Sequence, residues 1–304
     1  MKNRLLKRVG IGVGGLAALG LALFGAASAK ASARLGTVYE THRIDLPLPP
    51  ESDTAAIARG KHLVTARYAC AACHGENLAG GVMIEDPALG SVRGPNLTRG
   101  RGGVTASYQM ADWDRIVRHG VKPDGKPTIM PSDDFFKMSD AELSDIVAYI
   151  RSVPSVDGEV PAPSLGPVGK VLLAVGKLPL SAERQPTGSH PASPPATAES
   201  AAFGEHLTAT CLGCHRQNLA GGRIPFGPPS WPAAANLTPH AEGLGTWSFE
   251  QFEQAVVQGV SKDGRKLLPP MAEVVQGTKN MSVTERKAMW AYLQSLRAAP
   301  TNVD

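Results

Sequence analysis

At 304 residues the chain is long enough for two ordinary domains, and a composition of 42% hydrophobic and 19% charged residues is globular, with no disordered tract. The formal net charge of +4 arises in the first 29 residues: removing Lys2, Arg4, Lys7 and Arg8 from the 31 basic residues leaves 27, against 27 acidic residues. That neutrality does not support a nucleic-acid-binding surface, and an aromatic content of 5% is low for two cores unless a large apolar group fills part of each.

Residues 1–29 open with a basic stretch, and Val9 to Ala29 carries no charge and ends in Ala27-Ser28-Ala29. A signal peptide needs such a basic region, apolar core and A-x-A site. A transmembrane anchor needs about 20 apolar residues, which this stretch just reaches. Both place the remainder outside the cytoplasm, since positive charge stays inside. Residues 30–52 read as an extended linker.

Residues 53–154 and 199–299 are two copies of one unit. Gly60-Lys61-His62-Leu63 matches Gly204-Glu205-His206-Leu207, and Asn77-Leu78-Ala79-Gly80-Gly81 matches Asn218-Leu219-Ala220-Gly221-Gly222. Pro95-Asn96-Leu97-Thr98 matches Ala235-Asn236-Leu237-Thr238. Ser139-Asp140-Ala141-Glu142 and Ser282-Val283-Thr284-Glu285 predict capping boxes that start each closing helix. The first such helix then carries Leu143, Ile146, Val147 and Ile150 on one face; the second carries Met289, Tyr292, Leu293 and Leu296. Strand signals are sparse, so the expected fold class is all-α. Residues 155–198 are a proline-rich linker. Within it Gly166 to Gly176 is apolar enough for a short helix, expected to pack between the domains, with membrane-surface contact as the alternative.

All four cysteines fall in Cys70-Ala71-Ala72-Cys73-His74 and Cys211-Leu212-Gly213-Cys214-His215. Cys-x-x-Cys-His is the attachment signature of c-type haem: the thiols add to the two vinyl groups and the histidine sits beneath the iron. Cys-x-x-Cys alone also suits a zinc half-site or a redox dithiol, but zinc needs further ligands and no cysteine is left to supply them. The chemistry then depends on the second axial ligand. Met130 follows His74 by 56 residues and Met271 follows His215 by 56. Both sit in proline-bearing loops, which hold a backbone rigidly, and a His/Met pair suits electron transfer, whereas an open iron invites catalysis. Met138 and Met281, also equivalent to each other, are expected in the core, as are Met83, Met110 and Met289. His62 and His206 are expected to be half-exposed helix residues. His119, whose counterpart is Gln258, is a poor ligand candidate, and His42, His190 and His240 are assigned to loops away from iron. The carbonyls near Pro95 and Ala235 are the expected acceptors for the free N–H of each haem histidine. Tyr108, Trp247, Trp113 and Phe252 are candidate haem-edge or propionate neighbours, or plain core residues.

Each unit resembles the class I cytochrome c domain. Gly60 and Tyr149, or Gly204 and Tyr292, stand where that family's terminal helices cross, and Gly94-Pro95-Asn96-Leu97 is similar to the segment whose proline carbonyl accepts from the haem histidine. The tandem resembles membrane-associated bacterial cytochrome c subunits of periplasmic dehydrogenases, which often carry three haem motifs; here there are two. Departures are Ala235 in place of proline and Ala272 where Met130 is followed by Pro131. The resemblance, which also favours the anchor over the signal peptide, implies two covalently bound haem c groups and no catalytic residue. It implies a dehydrogenase as electron donor, a cytochrome or oxidase as acceptor, and the periplasmic side of the inner membrane, with a soluble periplasmic protein as the outcome if the leader is cleaved. The rival from another class is a di-haem enzyme of the cytochrome c peroxidase or thiosulfate dehydrogenase type, which needs two unlike haem sites.

Overall fold

The structure, a computed structural model, describes residues 2–41, 44–184, 189–225, 227 and 230–303, with side chains from residue 11 onward. His42 lies outside the described residues. Helix α1 (Lys2–Gly36) continues seven residues past the expected end of the apolar segment. Its exposed part, Ile11 to Leu23, is apolar all round, and the stretch Ile11–Gly36 is long and apolar enough to cross a membrane.

The first domain contains α2 (Thr54–His62), a π turn (Leu63–Arg67), α3 (Cys70–His74), α4 (Met110–His119), a 3₁₀ turn (Ser132–Phe135) and α5 (Asp140–Ser152). The second repeats this plan with α7 (Ala201–Thr208), α8 (Leu212–His215), α9 (Phe249–Gln258), α10 (Met271–Thr278) and α11 (Val283–Ser295). In each, the first and last helices cross at the glycine–tyrosine pair. A Cβ on Gly60 would meet the Asp145 carbonyl and lie 2.8 Å from Tyr149 Cβ; on Gly204 it would meet the Ala288 carbonyl and lie 2.7 Å from Tyr292 Cβ. Both closing helices begin with the expected capping boxes, Ser139 with Glu142 and Ser282 with Glu285. Their apolar stripes enter separate cores, Leu143, Ile146, Val147 and Ile150 in one and Met289 and Leu293 in the other. Met110, Met138, Met281 and Met289 are buried as expected, but Met83 is exposed.

Two features depart from the sequence reading. Residues 81–94 form a β-hairpin, β1 (Gly81–Asp86) with β2 (Gly90–Gly94), extended by β3 (Ser164–Leu165). Three consecutive apolar residues, Val82, Met83 and Ile84, stay exposed on β1, so no period-two alternation marked the strand. The linker helix α6 (Pro167–Ala174) packs on α1 rather than between the domains: Leu173, Ala174 and Leu180 cluster with Ala27, Ala31 and Leu35.

Candidate haem-binding sites

The first copy has three more residues than the second between the Gly-x-His-Leu leucine and the first cysteine, since Leu63 precedes Cys70 by seven and Leu207 precedes Cys211 by four. The chain absorbs them in the π turn and in Ala69, whose φ of 47° is left-handed. After that difference the two sites converge. Cys70, Cys73 and His74 lie on α3; Cys211 closes a 3₁₀ turn (Ala209–Cys211) that runs into Cys214 and His215 on α8.

The imidazoles are held alike. His74 Nδ1–H donates to the Pro95 carbonyl at 3.0 Å, and His215 Nδ1–H donates to the Ala235 carbonyl at 2.7 Å. This fixes one tautomer and leaves Nε2 with its lone pair. The acceptor is a main-chain oxygen, so alanine serves at 235 as well as proline does at 95. Burial, partly offset by that hydrogen bond, lowers the pKa of both histidines and keeps the rings neutral, the form that ligates a metal. Burial likewise pushes the Cys70 and Cys211 thiols up to about 12 and raises Cys73 and Cys214. None of the four is in a disulfide. Such thiols lack the low pKa of an exchange-active dithiol, and two thiols beside one neutral, oriented imidazole fit covalent haem attachment.

The segment after each motif is built alike too. Leu78 and Leu219 adopt φ of 59° and 56°, and their carbonyls accept from the amides of Leu97 and Leu237, each at 2.8 Å. In the Asn-Leu-Thr elements, Asn96 Oδ1 accepts from the amide and hydroxyl of Thr98 while its Nδ2 donates to the Val156 carbonyl; Asn236 does the same with Thr238 and Ala299. These elements therefore clasp the chain leaving each closing helix, a structural role that the sequence pattern alone did not reveal.

Met130 and Met271 are half-buried at matching points of the chain path. Each follows an isolated β-bridge, Val121 with Pro127 or Val260 with Lys266, and each runs directly into a short helical segment. The Met130 carbonyl also accepts from the Ser181 hydroxyl at 3.1 Å, which ties this loop to the linker. Trp113 is buried on α4 with its edge against Tyr108, and its indole N–H has no acceptor among the described residues. A buried donor of this kind suits a carboxylate such as a haem propionate. Phe252, its counterpart, has no donor to offer.

Across the domain seam the two sites are interleaved. The Ser132–Phe135 turn that follows Met130 packs on the turn bearing Cys211, and α10, which begins at Met271, packs on the π turn and α3. A carboxylate from each loop raises the pKa of the other domain's second cysteine: Glu273 acts on Cys73 and Asp134 on Cys214. Asp134, crowded against Gly213, is itself pushed up to about 7 by burial and then by Asp133.

The remaining histidines have other roles. His62 and His206 reach across the seam to Glu285 and Glu142, and the His206 side chain, expected to be half-exposed, is 7% exposed. His119 and His190 place their Nε2 atoms 3.1 Å apart, beside Asp114, and His190 Nδ1–H donates to the Phe136 carbonyl. That contact with the linker accounts for His119 breaking the repeat. His240 Nδ1 accepts from the Glu242 amide.

The chain is 27% identical over 274 residues to the fructose dehydrogenase cytochrome subunit of Gluconobacter japonicus, covering 83% of this chain and 55% of that protein. It is 26% identical over 277 residues to the alcohol dehydrogenase (quinone) cytochrome c subunit of Gluconacetobacter polyoxogenes, covering 83% and 58%. With the gluconate 2-dehydrogenase cytochrome c subunit of Pantoea cypripedii it shares 24% over 278 residues, covering 82% and 61%. The chain thus spans a little over half the length of these relatives. The family model for cytochrome c matches residues 57–154 and 201–297. With haem-attachment motifs in both matched segments and imidazoles oriented for iron, the chain belongs to the cytochrome c family and carries covalently bound haem c.

Proposed function

We propose that this chain is a di-haem electron carrier held on the periplasmic face of the bacterial inner membrane. In this reading it accepts electrons from a dehydrogenase and passes them to a downstream cytochrome or oxidase. Cys70 and Cys73 hold one haem and Cys211 and Cys214 the other, with His74 and Met130, and His215 and Met271, as axial ligands. Bound haem supplies a one-electron iron couple, which His/Met ligation poises at raised potential. The protein's part is to fix each imidazole through a main-chain carbonyl, exclude water and hold the two sites together.

The observation that carries this reading is the matched construction of the two sites: the same imidazole-to-carbonyl bond and methionines at the same place in the path. A di-haem enzyme needs unlike sites, one of them with an accessible iron, and this likeness argues against that division of labour. The named role of the relatives as dehydrogenase cytochrome subunits supports the donor class. Retention of α1 as an anchor is supported by its continuity: the helix runs unbroken through Ala27-Ser28-Ala29, and Ala31 and Leu35 just beyond belong to a packed cluster. A protease needs that segment open.

The test is purification from membranes followed by a haem count per chain and a far-red methionine–iron charge-transfer band. Two haems, a band integrating to both, and co-purification with a dehydrogenase are expected. A band from one haem only, with peroxide turnover after half-reduction, would favour the enzyme instead.

A further inference from the structure

Helix α6 has two faces. Gly169, Leu173 and Ala174 are buried, packed toward α1 and the hairpin tip, where the Val168 amide also donates to the Ala88 carbonyl at 2.9 Å. The other face shows Val168, Val171 and Val175, spaced i, i+3, i+7 and 46%, 38% and 62% exposed. Leu89 at the hairpin tip, and Val82 and Ile84 on β1, are exposed apolar residues as well. An exposed apolar surface of this kind marks a site of contact. The second domain has no equivalent of the hairpin or of α6 among its described residues.

The position of this face relative to α1 decides what covers it. Val9 to Ala29 is uncharged, and 21 residues of helix measure about 31 Å, close to the roughly 30 Å hydrocarbon thickness of a bilayer. The body of the protein first packs on α1 at Ala27, inside that uncharged stretch, and continues through Ala31 to Leu35. Arg34 locks the junction by donating to the Leu173 carbonyl and pairing with Glu183. With α1 spanning the bilayer, the α1–α6 contact therefore lies at the edge of the hydrocarbon, and α6 lies at the level of the lipid headgroups. Lys170 and Lys177 flank the valines with long stems that can raise their ammonium groups to the headgroups.

We propose that α6 is an interfacial helix whose Val168–Val171–Val175 face dips into the outer leaflet of a phospholipid bilayer. It rests on the reading of α1 as a retained anchor and adds a second membrane contact, which restricts rotation of the haem domains about α1.

The test uses the full-length haem-loaded chain in vesicles of phosphatidylcholine and phosphatidylglycerol. Because haem attachment consumes the four native thiols, Val171→Cys or Val175→Cys provides one site for an environment-sensitive fluorophore, with Val283→Cys on α11 of the second domain as the reference. Quenching by lipids carrying a shallow spin label is expected to be several-fold stronger at 171 and 175 than at 283. Equal quenching at the three positions, in protein that resists alkaline carbonate extraction, overturns the proposal and leaves the anchor standing. Shielding of 171 and 175 that needs an added dehydrogenase overturns it in favour of a protein partner. Release of the chain by carbonate removes the anchor reading and this inference with it.

Discussion

Glu142 of the first domain accepts a hydrogen bond from the Nε2–H of His206 in the second at 3.0 Å, and Glu285 of the second accepts one from His62 of the first at 2.9 Å. The two contacts exchange equivalent residues, so the domains meet as a self-complementary pair, like the isologous interface of a two-fold dimer. Both glutamates also close the capping boxes of α5 and α11. One side chain thus starts a closing helix and holds the neighbouring domain.

The two halves of the seam differ in strength. Arg67, carried inward by the π turn, adds a buried ion pair to Glu142, with side chains 4% and 5% exposed. Removing one partner of such a pair leaves an uncompensated buried charge, a loss of about 3–5 kcal/mol. Glu142→Ala is therefore expected to lower unfolding stability by that order. Glu285→Ala removes the equivalent cap and histidine contact but no arginine pair, and its histidine partner is 40% exposed, so it is expected to cost less, about 1–2 kcal/mol. Chemical denaturation of the two variants checks the asymmetry, and equal losses would show that Arg67 contributes nothing.

The same contacts give a pH window. Burial alone would raise the Glu142 pKa, but the hydrogen bond from His206 and the charge of Arg67 outweigh it and hold the carboxyl at about 2. Its pKa is below that of the unfolded chain, so its stabilisation is present above about pH 4.5 and is lost as pH falls toward 2. Glu285 is lowered in the same sense by His62. His62 runs the other way: the hydrogen bond to Glu285 raises its pKa above 6.5 against burial and the charge of Arg67. Its contribution is full below pH 6.5 and fades as pH climbs through the raised value. Thermal unfolding followed by circular dichroism is expected to show the steeper loss on the acid side, with Glu142→Gln flattening it.

Much of the haem site is legible in the chain because it is local. Cys-x-x-Cys-His fixes its own spacing, the resemblance points to the Pro95 carbonyl and the repeat carries it over to Ala235, and the capping boxes are four-residue patterns. The seam is not local. His62 and Glu285 are 223 residues apart, and no periodicity encodes their meeting. The available signal was that His62, His206, Glu142 and Glu285 all recur in the repeat, although a helix histidine can recur for other reasons. Strand β1 and the outer face of α6 were obscured by the same cause. Their apolar side chains do not face this protein's core, so core-directed patterns could not place them.

At the helix crossings a substitution as small as glycine to alanine is expected to matter. In Gly204→Ala the new methyl meets the Ala288 carbonyl and Tyr292 Cβ, neither of which belongs to a flexible side-chain end. Overpacking of this kind costs about 1–3 kcal/mol, and each kcal/mol lowers the melting temperature by about 4–8 °C in a domain of this size. A parallel loss is expected for Gly60→Ala. A melting temperature unchanged in both would mean that the crossings are looser than the backbone contacts imply.

Met130→Ala and Met271→Ala test the axial assignments separately. Each is expected to remove half of the far-red methionine–iron band and to lower the potential of one haem, because loss of the thioether favours ferric iron. Haem staining is unaffected in both, since the thioether bonds to cysteine remain. Met138→Leu, at a buried core position, is the contrasting variant and keeps the full band. An intact band in either alanine variant would remove that methionine from the coordination sphere.

Trp113 offers a test of how the first site differs from the second. Its buried indole N–H lacks an acceptor among the described residues, and in the second domain Phe252 occupies the same place without a donor. If the acceptor is a propionate of the first haem, Trp113→Phe leaves that carboxylate less well compensated. The less compensated negative charge near the iron stabilises the ferric state, so the potential of the first haem falls while that of the second stays fixed. Phenylalanine keeps most of the packing against Tyr108, which stands edge-on at 5.5 Å, so the variant separates the donor from the ring. A redox titration resolved into two components is expected to move one component downward. Movement of neither would show that the indole N–H finds its acceptor elsewhere, and movement of both would mean that the haems are coupled strongly enough for one propionate to be felt across the seam.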